Sequence, residues 1–485
     1  MSVAHKAIPH TTHARRAQPG QPADTTRAAA LGNRENSRPP QVTGTFTRHL
    51  WRIQRAMWAV TADKRLRDCH RAPIPAAAAV AVMRRGAGGR GKFAGLVNSH
   101  SVWGSPVAAV GIARGRQEEL QRAAAEWLAG GKGRALAMVT LTVRHRNGET
   151  LEDLLAGVTK AWSRVNSCRA WKAPRGIRRR YGIGHYVWFL EITHGDNGWH
   201  PHRHMVMMLE RALSDDELAA LKAELHTLWA DKVADLGLLA PNEAHGVDVK
   251  QAATNVDAAA AIATYAAKGM FAGLAAEATG GAVKQARGGN RTPFQILEDI
   301  ADALDAGEEP NARDVALWRE YERATKGKQQ RRWSNGALEE LAVAVVEDEE
   351  LEHLEDADAE PDEGTAEDVA LVAVARADWW RYLAHDTTAR LEVLEAANAG
   401  TTPEAGLRAV TAMLDRLGVP YRRLMTSHTH TDPVKNSVTT NPTTAAEADA
   451  LVAPERARAT IHRTRYAARA TLALWPLGRR HRVTE

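Results

Sequence analysis

The stretch HYVWFLEITHGDNGWHPHRHMVMML, His185 to Leu209, decides how this chain folds. Its two ends, His185–Thr193 and Pro201–Leu209, are apolar, β-branched and aromatic, the composition of strands. The Gly, Asp and Asn of the intervening HGDNGW are hairpin residues, with Asp196 needed for the turn. His200, His202 and His204 fall at alternate positions. Successive side chains of a strand point to opposite faces, so His202 and His204 project to one side, close enough to share a metal ion. Pro201 removes a ladder donor and puts His200 at the strand entrance, where it could point elsewhere. On the partner strand Glu191 is flanked by Leu190 and Ile192 on the opposite face. Pointing with the His pair, its carboxylate would complete a mixed nitrogen and oxygen site suited to Mg or Mn. Pointing outward it would simply be solvated.

Working outward, GRQEELQRAAAEWLAGG from Gly115 reads as a helix stopped by glycines, and Ala135–His145 (ALAMVTLTVRH) as a strand. A helix over Leu151–Ala170 leads into WKAPRGIRRRYG, with six Lys or Arg between Arg169 and Arg180. Arg175, Arg178, Arg179 and Arg180 are candidate DNA contacts there, with Trp171 and Tyr181 placed to stack on unpaired bases. Beyond the hairpin, Ser214 and Glu217 stand at capping-box spacing before a long helix. A short strand over Gly246–Gln251 and a helix over Val256–Phe271 follow. The order is strand, helix, strand, strand, helix, strand, helix. It predicts an α+β fold with a ferredoxin-like or RRM-like core, an antiparallel sheet with flanking helices, plus a helical C-terminal region.

A single tyrosine, Tyr265, stands out in NVDAAAAIATYAAKGMF, with Lys268 on the same helix face at i+3. A lone tyrosine on such a helix is more often core than catalytic. Beside a His-x-His strand it gains a second reading, because a phenol and a metal together can transesterify DNA.

The whole chain of 485 residues has 64 Lys plus Arg and 58 Asp plus Glu, a net charge of +6. Eleven acids and no Lys or Arg lie between Glu347 and Glu363, so the remainder is strongly basic and suits a polyanionic partner. Only two cysteines, Cys69 and Cys168, are present, which excludes a disulfide framework or a four-Cys zinc site. The longest apolar run, Pro75–Met83, is far short of the ~20 residues that span a bilayer. No signal-type segment opens the chain, so a cytoplasmic protein without a membrane partner is expected. The expected organisation is a disordered basic N-terminus (1–48), a poorly defined region (49–115) and an α+β core (116–290). After it come a helical extension (291–346), an acidic linker (347–365), a helical region (366–425) and a loop with an Arg-rich tail (426–485).

TLT at Thr140–Thr142, the HPHRH strand and the tyrosine helix with its lysine occur in the order and spacing of the rolling-circle replication initiators of the HUH endonuclease superfamily. LTVRHRNGETL, FLEITHGDNGWHPHRH, GNRTPFQILEDI and KGKQQRRWSNGALEEL resemble its actinobacterial plasmid branch, so the resemblance runs from about Val97 to Leu341. It implies that His202 and His204 bind a divalent metal, that Tyr265 is the nucleophile and that Lys268 places the phosphate or stabilises the phenolate. Thr140 and Thr142 would have a structural or DNA-positioning part, and His200 an accessory one. The expected partners are single-stranded or melted origin DNA, a host helicase and a host DNA polymerase.

The chain departs from the family pattern in three ways. Arg203 replaces the usual hydrophobic residue between the two histidines and would face away from the metal, toward DNA. Ala261 stands where some relatives carry a Glu one turn before the nucleophile. In the segment 97–110, Ser105 and Ala108 replace cysteines suggestive of zinc, so zinc binding there should be lost. A relaxase or transposase with the same chemistry, or a noncatalytic DNA-binding protein, stays open as an alternative.

Overall fold

A computed structural model describes residues 44–85, 91–99, 101–252, 290–343 and 368–424. Tyr265, Lys268, the helix expected over Val256–Phe271 and the acidic run lie outside the described residues. In chain order the strands are β1 (Ala79–Arg85), β2 (Gly91–Ala94), β3 (Ala135–Thr142), β4 (Ile183–Gly195), β5 (Gly198–Leu209), β6 (Val247–Gln251), β7 (Arg331–Trp333), β8 (Asp368–Ala375) and β9 (Arg422–Arg423). The longer helices are α1 (Gly44–Val60), α2 (Pro106–Ala129), α3 (Leu151–Ser167), α4 (Asp215–Ala234), α5 (Pro293–Asp305), α6 (Ala312–Thr325), α7 (Thr387–Ala397) and α8 (Pro403–Arg416).

The main sheet has the order β6-β3-β5-β4-β7, and all its pairings are antiparallel. Its four core strands, numbered along the chain, stand fourth, first, third, second, which is the split βαβ order read from the sequence. The β4–β5 hairpin closes on the pair Gly195 and Gly198 around a two-residue turn, and Gly198 takes a φ of 88° that glycine adopts freely. Register then fixes the faces. Thr140 lies opposite His204, Thr142 opposite His202, and His202 opposite Glu191. All five side chains therefore share one face, while Arg203, paired with Leu190, goes to the other.

That other face carries the core. α3 and α4 cover it, burying Trp162, Leu221, Leu225, Trp229 and Val233. A large apolar side chain so buried contributes about 1.5–3 kcal/mol. α4 begins with the expected capping box, Ser214 and Glu217 each bonding the other's backbone N–H. On the face of Glu191, His202 and His204, α2 packs over Leu209, Arg331 and Trp333. There Trp127 donates its Nε1–H to the Leu209 carbonyl at 3.1 Å, and Glu119, fully buried, receives Arg331 and the Trp333 indole at 2.5 Å each. The site end of that face is left half-buried.

Several boundaries differ from the sequence reading. α1 starts at Gly44, inside the segment expected to be disordered, and α2 starts at Pro106 instead of Gly115. Residues 106–117 of α2 are buried all round, so no amphipathic stripe marks them. Ser105 caps this helix, its Oγ accepting from the Ala108 N–H at 3.2 Å and donating to Gln54 Oε1 at 2.8 Å. Residues 331–333, inside the expected helical extension, form β7, an edge strand of the main sheet. The expected helical region 366–425 opens instead with β8, whose alternating DVALVAVA pairs with β1 in a second sheet ordered β2-β1-β8-β9. Arg390, fully buried, ties this part to α1 by stacking on Trp51 at 4.6 Å and Trp58 at 4.8 Å. Among the described residues no helix is long and apolar enough to cross a membrane.

Candidate metal centre

His202 and His204 reach the site from β5 and Glu191 from β4, and one oxygen of Glu191 meets both rings. Glu191 Oε2 lies 2.9 Å from His202 Nε2 and 2.6 Å from His204 Nε2. The donor atoms of the three residues all fall within 4.8 Å of one another, and they are the one such group of three among the described residues.

The other nitrogen of each ring has a partner as well. His204 Nδ1 lies 3.1 Å from Thr140 Oγ1, and His202 Nδ1 lies 3.3 Å from the His200 carbonyl. A carbonyl only accepts, so His202 Nδ1 carries a proton; Nε2 donates to the Glu191 carboxylate here and would ligate once that proton is lost, leaving the Nδ1–H tautomer. Thr140 allows the same tautomer in His204. Two imidazole nitrogens and one carboxylate oxygen, each held from behind, fit a divalent cation and leave further coordination positions open.

The electrostatics agree with this arrangement. Burial pushes the Glu191 carboxyl up, but the adjacent His202 and the hydrogen bonds from both rings win, holding it well below the usual carboxylate range. Burial pushes His202 down, and the charge and hydrogen bond of Glu191 outweigh it, raising His202 above its ordinary 6.5.

The remaining sequence candidates separate. His200 lies within β5, opposite Thr193 and on the metal-site face. Burial, then the neighbouring His202 and His145, push it down to about 4. Its Nδ1 meets His145 Nε2 at 2.9 Å, and His145 Nδ1 meets the Asn197 carbonyl at 2.9 Å. His145 is a neighbour that spacing does not single out, since only the fold brings the end of β3 beside the hairpin. Thr142 turns away from the histidines, its hydroxyl donating to the His245 carbonyl at 2.8 Å.

The arginines need the largest correction. Arg203 faces away from the metal site, as expected, but it is 1% exposed and sits 3.8 Å from the Trp188 ring and 5.8 Å from that of Trp162. The covering helices keep it from DNA. Arg178 donates to the Ile183 carbonyl at 3.0 Å and to that of Gly184, and Arg180 is paired with Glu224. Arg175 and Arg179 are exposed. Trp171 and Tyr181, read as stacking aromatics, are 0% and 7% exposed, with the Tyr181 hydroxyl donating to Glu224 at 3.0 Å.

Over 368 residues the chain is 30% identical to Protein rep of Streptomyces lividans, covering 66% of this chain and 78% of that protein. Over 150 residues it is 29% identical to a neomycin resistance protein of Streptomyces cyanogenus, covering 26% of this chain and 34% of that protein. No family model and no solved structure matches the chain. With the alignment to Protein rep spanning more than three quarters of that protein, the chain belongs to the Rep family of plasmid replication proteins.

Proposed function

We propose that this protein initiates rolling-circle plasmid replication as an HUH-type nickase, cutting one strand of the origin by metal-assisted tyrosine transesterification. The observation that carries the reading is the convergence of Glu191, His202 and His204 on one half-buried face of the sheet. These three residues would hold Mg or Mn. Such a cation, when bound, supplies polarisation of the scissile phosphate and offsets charge developing on its oxygens.

The protein's own groups do the rest. Thr140 and the His200 carbonyl keep both imidazoles turned so that Nε2 faces the centre. Tyr265 supplies the nucleophile, and Lys268, three residues on, favours its phenolate, since a phenol of ordinary pKa ~10 attacks poorly at neutral pH. The bond from the phenolic oxygen to phosphorus forms as the bond from phosphorus to the 3′ oxygen breaks, and that oxygen takes up the proton given up by the phenol. The products are a 5′-phosphotyrosine and a free 3′-OH, which primes a host polymerase working with a host helicase on melted origin DNA.

The test is cleavage of single-stranded fragments of the encoding plasmid's origin with Mg or Mn. The wild type is expected to nick at one position, and Glu191→Gln and His202→Ala to lose at least about 100-fold in rate, the order seen when a ligand or a preorganised charge-stabilising group is removed. Cleavage that survives both substitutions and full chelation would overturn the reading.

A further inference from the structure

From Leu154 to Leu190 the chain carries eight Lys or Arg and no Asp or Glu. Three of the eight serve the fold, Arg164 on the Asp235 carbonyl at 3.1 Å, Arg178 on strand carbonyls and Arg180 on Glu224. Lys160, Arg164, Arg169, Lys172, Arg175 and Arg179 are exposed. The layer that bears them is fixed by its aromatics. Trp171 packs on Trp162 of α3 at 5.6 Å and on Tyr186 of β4 at 6.1 Å. Tyr186, opposite Met207, points to the same side of the sheet as Arg203, and so away from Glu191, His202 and His204. The basic surface is therefore the outer side of the helical layer, separated from the metal centre by the sheet and by one helix thickness of ~10 Å.

Its chemistry is charge without stacking. Surfaces that hold unpaired strands combine cations with exposed aromatics, which stack on bases. Here the aromatics Trp162, Trp171 and Tyr181 are all buried, and what faces solvent is cationic. Such a surface suits the regular phosphate backbone of a duplex, bound through counterion release and without base readout.

We infer that the outer surface of α3 and the 169–180 turn is a second DNA site, holding duplex DNA by its phosphates while the scissile single strand occupies the opposite face of the sheet. This rests on the reading of the protein as a DNA nickase and adds to it where the uncut flank of the origin is held.

The experiment uses the full chain with Arg169, Lys172, Arg175 and Arg179 changed together to Gln. All four side chains are exposed, so thermal unfolding should not change. Two probes are read by fluorescence anisotropy against salt concentration, a blunt duplex of origin sequence and a single-stranded origin oligonucleotide. Nicking of the latter is timed in parallel. The expected result is a duplex affinity at least about tenfold weaker, with the slope of log K against log salt reduced in magnitude by about 3 to 4, near 0.9 for each phosphate no longer neutralised. The rate of single-strand nicking should stay within about twofold, since none of the four lies on the face of the metal centre. An unchanged duplex affinity and slope, as a surface for an acidic protein would give, overturns the inference. So does an equal loss for the single strand. If the wild type nicks nothing, the nickase reading fails separately, and the salt slopes still decide the duplex site.

Discussion

Replacing Arg203 with Met tests whether this arginine is a buried strut or a DNA contact. Burial pushes its guanidinium from 12.5 down to about 9. At ~1.36 kcal/mol per tenfold in proton affinity, keeping it charged at neutral pH costs the folded state about 5 kcal/mol. Its stacking on Trp188 and Trp162 returns about 1–2 kcal/mol per ring when desolvated. Methionine retains the apolar stem and removes the charge, so Arg203→Met should be more stable by about 1–3 kcal/mol, in line with replacements of buried charges elsewhere. Urea unfolding measures this as a higher midpoint at unchanged slope. The salt dependence of binding to single-stranded origin DNA should stay the same. A loss of stability above about 1 kcal/mol, or a salt slope smaller by about 1 as when a cation leaves a phosphate, would rule out a buried strut.

Thr140→Val keeps the shape of the side chain and removes the hydroxyl that meets His204 Nδ1. Mn affinity by calorimetry should fall about 10- to 100-fold with the fold intact, and an unchanged affinity would show that the hydroxyl does not orient the ring. Metal binding should also depend on pH. The folded metal-free protein holds His202 above its ordinary 6.5, so below that pH the ring is protonated and must give up its proton to ligate. Affinity should therefore rise from pH 6 to pH 8 with release of a proton, and equal values at the two pH values would contradict the assignment of His202. The same shift has a stability consequence in the metal-free protein: the His202 contribution is complete below 6.5 and is lost as pH rises through the raised folded value. Ser105→Ala should cost about 1–3 kcal/mol in urea unfolding, because it removes the cap of α2 and leaves Gln54 Oε1 buried without its donor. A cost below about 0.5 kcal/mol would mean the helix start is fixed by packing alone.

The parts of this protein that alternate or cap by simple rules were readable from residues alone. The period of two in HPHRHM put His202 and His204 on one face, Glu191 joined them because its neighbours are apolar, and Ser214 with Glu217 marked the start of α4. What stayed hidden depends on partners distant in sequence. β1 and β8 pair Arg85 with Asp368 across more than half the length of the chain, and neither shows its sheet until the other is beside it. The first half of α2 is buried on every side and so lacks a stripe to read. Arg203 looked like a DNA contact because a charge on a strand is normally solvated, and only the placement of Trp162 and Trp188 explains why it is not. His145 became a member of the site neighbourhood through the return of β5 past the end of β3.

In the proposed reaction the metal centre serves a tyrosine that becomes joined to DNA. The most direct measurement is mass spectrometry of the full chain after reaction with a single-stranded origin oligonucleotide in Mn, followed by peptide mapping. The expected product is an adduct of the DNA segment 3′ of the nick, linked through its 5′ phosphate to Tyr265, absent in Tyr265→Phe and strongly reduced in His202→Ala. Cleavage with no covalent adduct, or an adduct that persists in Tyr265→Phe, would contradict it.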